Sequence, residues 1–357
     1  MIATRPNIAV IGAGLAGLSC ARHLQDAGCR VTVFDKARGP GGRMSTRRGD
    51  DWQCDHGAQY FTVRDNRFRD EVARWETAGV AALWEPRLAV LEADGSVARK
   101  APDSTARFVG VPRMSAPAGW LAANLRVHSG YTIVDMQHDR AGWRLHSKEH
   151  GVHDDRYDAV VLAIPAPQAT VLLQPLLPLT ARQTANDMLP CWTLMLRYRT
   201  PGIRFAPGYD AAFVNHGPLG WIARDGSKPG RQGSETWVLQ ATAGWSAQHL
   251  EDDSDSVIAA LLAAFAALGA PPPDEVTAHR WRYARAGGQQ DNAQAIQQNH
   301  VDEDGEPAVL REAIWLPAVR VGVCGDWLAG GRVEDAWLSG RTLAAQVLAS
   351  MACAASS

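Results

Sequence analysis

Gly12, Gly14 and Gly17 in "GAGLAG", followed by Asp35, are the residues whose spacing most directly implies chemistry. Each glycine has its own task. Gly12 permits a tight turn, Gly14 lets backbone approach a pyrophosphate, and Gly17 lets a helix pack closely on a strand. Amides at a helix start carry the partial positive charge that phosphate needs. Asp35 stands 21 residues after Gly14, where a carboxylate can accept both hydroxyls of an adenosine ribose. The chemistry is the holding of a dinucleotide. Leu15, Ala16 and Lys36, which flank these residues, join them as candidate cofactor contacts.

The elements needed to position them can be read around them. "NIAVI" is a short apolar run, as a buried parallel strand requires. "LSCARHLQDAG" places Leu18, Ala21 and Leu24 on one helical face and stops at Gly28. "CRVTVFDK" is the next strand. A strand-turn-helix-strand unit is therefore expected over the first 36 residues. No second G-x-G-x-x-G follows a strand, so a nicotinamide nucleotide would enter only as substrate.

The 357 residues allow two domains, and 46% apolar content is enough for real cores. A net charge of −2 gives no reason to expect nucleic acid or an anionic membrane as partner. The six cysteines form no C-x-x-C pair and no zinc spacing with histidine, which suits free thiols in a reducing, cytoplasmic compartment. No redox-active disulfide is expected. Arg5 and the run ending in "GLSC" resemble a leader superficially, but three glycines break the run, and secretion is not expected. No apolar stretch of about 18–20 residues is present to span a bilayer. "HSKEHGVHDD" and "HVDEDGE" are read as polar turns, with no metal expected.

Beyond Asp35 the segment "KARGPGGRMSTRR" resembles the GG-R-[MS] extension of the flavoprotein class that includes monoamine oxidases, phytoene desaturases and protoporphyrinogen oxidases. "VRVGVCGDWLAGGRVEDAWLSG" near the C-terminus resembles a second signature of that class. The resemblance implies noncovalent FAD. Gly41 and Gly42 would fold a loop over the cofactor, and Arg43 would offer a fork of donors to the diphosphate. Asp326 would bind the ribityl chain or pyrophosphate. The helix opening at Val333 would point its positive end at the flavin N1–C2=O edge. Val134 would touch adenine through its backbone.

"DHGAQYFTVRD", "FVGVPRMSA", "AHRWRYAR" and "CGDWLAGGRVEDAWLSG" narrow the likeness nearly end to end to bacterial renalases. That resemblance implies a flavin-dependent oxidase that takes hydride from the 2- and 6-dihydro isomers of NAD(P)H onto flavin N5, with O2 then giving H2O2. Loss of hydride from a dihydropyridine yields an aromatic cation directly, so no catalytic side-chain base is required. Ala58 and Gln59 would lie against the flavin, and Tyr60, Phe61, Thr62 and Arg64 would line the substrate side. Trp192 is a further candidate wall, and Arg332 and Arg282 are candidate anion contacts. The chain departs from the renalase pattern at Arg113 and Asp335, each in place of glycine, and in a longer loop over 286–307. The rival readings are an amine oxidase using one of four lysines, Lys228 among them, a membrane-docking desaturase, and a non-catalytic FAD-binding protein.

The expected fold class is α/β. A Rossmann-like FAD-binding domain of glutathione reductase-2 type would take residues 1–70, 106–168 and 276–350. A smaller mixed sheet with helices would form a substrate domain from 71–105 and 169–275. Strands are expected in "CWTLMLRYRT", "AAFVNH", "LGWIARDGSK" and "ETWVLQATAGW", and a helix in "DSDSVIAALLAAFAALG" with an N-cap among Asp252, Asp253 and Ser254.

Overall fold

The computed structural model describes residues 5–92, 97–98, 105–184, 187–199, 208–287 and 312–355. The 286–307 loop, apart from its first two residues, and the "HVDEDGE" turn lie outside the described residues. Among the described residues a six-stranded sheet carries the N-terminal motif. Its strands run in the order Ala313–Leu316, Val321–Cys324, Ala159–Leu162, Asn7–Ile11, Arg30–Asp35 and Arg126–Ser129. All neighbours are parallel except the first pair. The apolar "NIAVI" strand lies inside this sheet with Ile8, Ala9 and Val10 fully buried, as a run without alternation demands.

The first helix, Leu15–Asp26, buries Leu18, Ala21 and Leu24 as its periodicity requires. Gly28 ends it at φ +95°. The last helix, Val333–Ala355, crosses the first. A Cβ on Gly340 would stand 2.1 Å from the Ala16 carbonyl oxygen, so only glycine allows this approach. Ser19 Oγ donates to the Trp337 carbonyl at 2.8 Å in the same crossing. Sequence from both ends of the chain thus shares one core.

A second sheet runs Glu275–Ala286, Met188–Tyr198, Glu235–Ala241, Leu219–Arg224, Ala211–Val214, Leu88–Leu91 and Val97–Ala98. All four strand-like stretches read from the sequence are in it. "AHRWRYAR" is in it too: Glu275–Ala286 pairs along its length with Met188–Tyr198, so its hydrogen bonding joins it to this second sheet and not to the six-stranded one. The helix Ser254–Ala267 covers one face, capped by Asp253, whose carboxylate accepts the Asp255 and Ser256 amides. Gly269 follows at φ +83°. The other face packs towards the six-stranded sheet through Met195, Ala211, Trp221, Ala223 and Val238.

Candidate dinucleotide and flavin site

The glycine turn, Asp35, Ala163 and Asp326 all follow the carboxyl ends of parallel strands and so meet at one edge of the six-stranded sheet. That edge is where open α/β sheets bind ligands. The three motif glycines are not equivalent. A Cβ on Gly12 would lie 2.3 Å from the Ala163 carbonyl oxygen, and one on Gly17 would lie 2.0 Å from the Gly12 oxygen. Gly14 has nothing within 4 Å of such a Cβ. Two glycines are required by packing, and the third faces open space at the head of the first helix. Asp35 Oδ2 accepts the Ala13 amide at 2.6 Å and Oδ1 accepts the Ala37 amide at 2.7 Å. Its carboxylate is thereby fixed beside the turn, with exposed Lys36 next to it. Leu15 and Ala16 are buried under the helix start.

Gly42 brings the next loop over this turn: its Cβ would meet Gly14 Cα at 3.2 Å. Arg43 follows and forms a two-pronged ion pair with Asp326, one contact at 2.9 Å and a shorter one between Nη2 and Oδ1. Arg43 also donates to the Ala284 carbonyl at 3.2 Å. Val134 sits where the register of its hairpin shifts, so it is skipped by the pairing with Gly142–Ser147. It is 46% exposed. A skipped strand residue has backbone groups free of the ladder.

The segment Asp55–Tyr60 runs between the two sheets. Gly57 is pressed on Arg43, since a Cβ there would stand 1.9 Å from the Arg43 carbonyl oxygen. The Ala58 amide donates to that oxygen at 2.8 Å. Trp281 Nε1 donates to the His56 carbonyl at 2.9 Å, and Gln240 Nε2 donates to the Gly57 carbonyl at 2.8 Å. Burial, His279 and Arg47 push His56 down to about 4.

Asp55 begins this segment inside a sealed ionic cluster. Lys228 Nζ donates to Asp225 at 2.8 Å, to Asp55 at 3.2 Å and to Gln59 Oε1 at 3.2 Å, which uses all three of its protons. Arg231 donates to Asp55 at 2.5 Å. The Met114 amide and the Thr46 hydroxyl bind the other Asp55 oxygen. Burial favours a neutral Asp55, but Lys228, Arg231 and Thr46 outweigh it and hold its carboxyl well below the usual range. Burial and the facing Asp55 push Asp225 up. The sequence leaves Lys228 as the candidate lysine of the amine-oxidase reading; the charges at 225, 228 and 231 are the signal for the cluster, and Asp55 lies inside "DHGAQYFTVRD".

The other predicted residues divide. Gln59 turns its amide inward, with Nε2 donating to the Asp55 and Gly57 carbonyls. Tyr60 is half-buried, 5.7 Å from the Trp221 ring and 6.3 Å from Trp84, with the Arg107 guanidinium 5.3 Å from its centroid. Phe61 is 3% exposed and stacks on Phe108, so it is core and not an open wall. Trp192 is corrected as well. It lies on the far face of its sheet with Leu194 and Leu196, under the helix Ser254–Ala267, and its Nε1 donates to the His249 carbonyl. Arg282 is held by Glu251 at 2.6 and 2.8 Å. Thr62 is half-buried, and Arg64 and Arg332 are exposed. Glu334 ties the Arg64 turn to the last helix: its Oε1 accepts the Arg64 and Asp65 amides at 2.8 and 2.7 Å. Val333 opens the last helix, half-buried.

Cys20 and Cys324, far apart in sequence, are thiol neighbours in the fold, a contact that no sequence spacing signals. Both are free and fully buried, and the contact with Cys324 together with burial pushes the Cys20 thiol well up. A buried thiol of that kind is unreactive. Among the described residues no helix is long and apolar enough to cross a membrane. No cluster of three or more His, Cys, Asp or Glu able to hold a metal occurs among them.

A glycine turn at the carboxyl edge of a parallel sheet, closed over by a second loop bearing an arginine, defines a dinucleotide-binding α/β protein. Residues 10–75 match an NAD(P)-binding Rossmann-like domain, and residues 84–348 match the flavin containing amine oxidoreductase family. The chain belongs to that family, and FAD is the cofactor the membership implies. The open space at Gly14, the tight packing of Gly12 and Gly17 and the donor fork of Arg43 fit that group. An L-amino-acid oxidase of Siganus canaliculatus is 40% identical over 70 residues, 19% of this chain and 13% of that protein. A phytoene dehydrogenase of Streptomyces griseus is 42% identical over 59 residues, 16% of this chain and 12% of that protein. These matches thus span about an eighth of each curated relative. A putative protoporphyrinogen oxidase from Exiguobacterium sp. 255-15 superposes with a TM-score of 0.71 at 12% identity, covering 96% of this chain and 99% of that one. Cyclohexylamine oxidase from Brevibacterium oxydans IH-35A does so with 0.71 at 14%, covering 98% and 100%. At these identities the likeness is one of fold.

Proposed function

We propose that this chain is an oxidase of misreduced nicotinamide nucleotides, the 2- and 6-dihydro isomers of NAD(P)H, producing NAD(P)+ and, with O2, H2O2. Bound FAD, held noncovalently, would supply the hydride acceptor. The observation that carries the reading is the supply of groups around residues 56–64. Rings and cations are there, and the two nitrogen bases nearest them, Lys228 and His56, are not available. Lys228 has every proton engaged by Asp55, Asp225 and Gln59. His56 is held neutral down to about 4 and takes a proton poorly. Oxidation of an amine benefits from a group that removes a proton, and a dihydropyridine needs none.

In this reading Gly12, Gly14, Gly17, Asp35 and Arg43 hold the dinucleotide, with Leu15, Ala16 and Lys36 beside them. Asp326 and Val333 bound the ribityl end, and Val134 meets adenine through its unpaired backbone. Ala58 and the backbone of Gln59 form the surface under the flavin, and Tyr60 and Thr62 face the substrate. Arg64 and Arg332 share one seam and suit the diphosphate of a nicotinamide nucleotide, an anion that a simple amine lacks.

Anaerobic mixing with each purified dihydro isomer tests the proposal. Rapid bleaching of the visible flavin band is expected, and oxygen should restore it with equimolar H2O2. Benzylamine and a polyamine are the controls. Family membership favours an amine as the second reading. Fast bleaching by the amines, with none by the isomers, would establish it in place of ours.

A further inference from the structure

The head of the last helix carries a buried charge. Asp335 is the third residue of the helix Val333–Ala355. Its Oδ2 accepts the Arg332 backbone N–H at 2.9 Å, and the residue is 8% exposed. This is the return bond of a capping box. Glu334 beside it is turned away, towards the Arg64 and Asp65 amides. The same turn is tied to the cofactor cradle. The Gly330 and Gly331 amides donate to the Asp326 carbonyl at 3.0 and 2.9 Å. A Cβ on Gly330 would lie 2.9 Å from Asp335 Oδ2. The Asp326 side chain, in turn, holds Arg43.

The consequence is electrostatic. A free helix head presents about half a unit of positive charge to whatever anion lies near it. Reduced flavin carries negative charge along its N1–C2=O edge, and an uncapped head beside it would favour reduction. A buried carboxylate bound to one of the head's own amides works against that. We propose that Asp335 is a positioning residue that sets the flavin potential: it takes up the positive end of the last helix and keeps flavin in the Asp326–Arg43 cradle harder to reduce than glycine at 335 would. The charges around it are Arg332, Glu334, Asp326 and, through Asp326, Arg43. Burial pushes the Asp335 carboxyl up, and the hydrogen bond from the Arg332 amide opposes this. The proposal rests on FAD binding in this cradle and not on the identity of the substrate.

Holoenzyme carrying Asp335→Asn, Asp335→Gly or Asp335→Glu provides the test. Sulfite, which binds flavin more tightly when the ring is helped to bear negative charge, is the probe, and the two-electron midpoint potential is the second readout. The Asn and Gly forms are expected to bind sulfite about tenfold more tightly than wild type. Their potentials should rise correspondingly, by about 30 mV for a tenfold change. The Glu form should stay with wild type. A role confined to capping would lower the melting temperature and leave both readouts in place, and that result would overturn the proposal. If the Asn form does not fold, the Gly form makes the same comparison. Wild-type protein that takes up no FAD would overturn the cofactor assignment and this proposal with it. A normal wild-type spectrum with unresponsive variants would overturn this proposal alone.

Discussion

Two sets of opposed charges touch the segment Asp55–Tyr60, and they are built in opposite ways. Asp55, Asp225, Lys228 and Arg231 have side chains 0–2% exposed, two of each sign. Arg43 and Asp326 form the second set, with the Arg43 side chain 30% exposed and Asp326 6% exposed. In the first set only Asp225 Oδ2 and Arg231 Nε lack a hydrogen bond, and they face each other at 3.7 Å; charges paired in this way hold the neighbouring chain in one arrangement. Asp55 fixes one end of the segment, Lys228 fixes Gln59, and the Met114 amide brings "FVGVPRMSA" to the same point. The half-open pair could exchange partners: in the proposed function a diphosphate would compete with Asp326 for the Arg43 fork. Seclusion therefore separates charges that organise the chain from charges that remain open enough to meet a ligand.

The strongest way to break this comparison is to unbalance the sealed set. Asp55→Ala leaves Lys228 and Arg231 buried with one carboxylate between them. Loss of one partner of a buried pair costs about 3–5 kcal/mol. The variant is expected to unfold well below the wild-type melting temperature, read by circular dichroism, with or without FAD. The same residue sets an acid limit. Its folded-state carboxyl lies below the unfolded value, so the stabilisation is complete above about pH 4 and is lost as pH falls further. Asp55→Asn should remove that acid slope. If Asp55→Ala melts with wild type, the cluster does not hold the segment Asp55–Tyr60 in place.

Arg43→Met is the matching change in the half-open set and should act on the ligand rather than the fold. Charge-assisted hydrogen bonds contribute about 1.5–3 kcal/mol, which corresponds to roughly 10–100-fold weaker FAD binding by titration of apoprotein. The melting temperature of that apoprotein should fall less than that of Asp55→Ala, because the Arg43 side chain is 30% exposed and the space it vacates admits water to Asp326. Equal losses in FAD affinity and apoprotein stability would erase the distinction between the two sets.

The cradle was the legible part of the molecule. Its glycines, Asp35, the flanking strands and the helix ends at Gly28, Asp253 and Gly269 are local signals, because close backbone approach and capping depend on residues near in sequence. The strands of the second sheet were legible from their apolar patterning, but not their partners. Glu275–Ala286 could not be assigned to that sheet, since register is fixed by contacts with residues about 90 positions away. Trp192 and Phe61 were misplaced because an aromatic residue on a strand reads the same whether it faces a cleft or a core. The sealed cluster and the Cys20–Cys324 contact were hidden for a related reason. Each depends on which distant side chains converge, and no spacing records that.

Within the glycine motif the comparison can be made at its finest, with one methyl group. Gly17→Ala drives a Cβ to 2.0 Å from the Gly12 carbonyl oxygen, which is backbone and cannot swing aside. Helix and strand must separate, and overpacking of this kind costs about 1–3 kcal/mol in apoprotein and holoprotein alike. Gly14→Ala meets nothing within 4 Å, and Gly14 has φ −75° and ψ 176°, which alanine adopts without strain. Apoprotein stability should therefore stay within about 0.5 kcal/mol of wild type. The added methyl occupies the space that a pyrophosphate needs, so FAD affinity should fall even though the empty fold is untouched. Thermal melts of apoprotein with and without added FAD separate the two cases: Gly17→Ala should lower both curves, and Gly14→Ala should lower only the FAD-dependent gain. If Gly14→Ala keeps the full gain, the diphosphate does not lie over Gly14, and the open space there has another purpose.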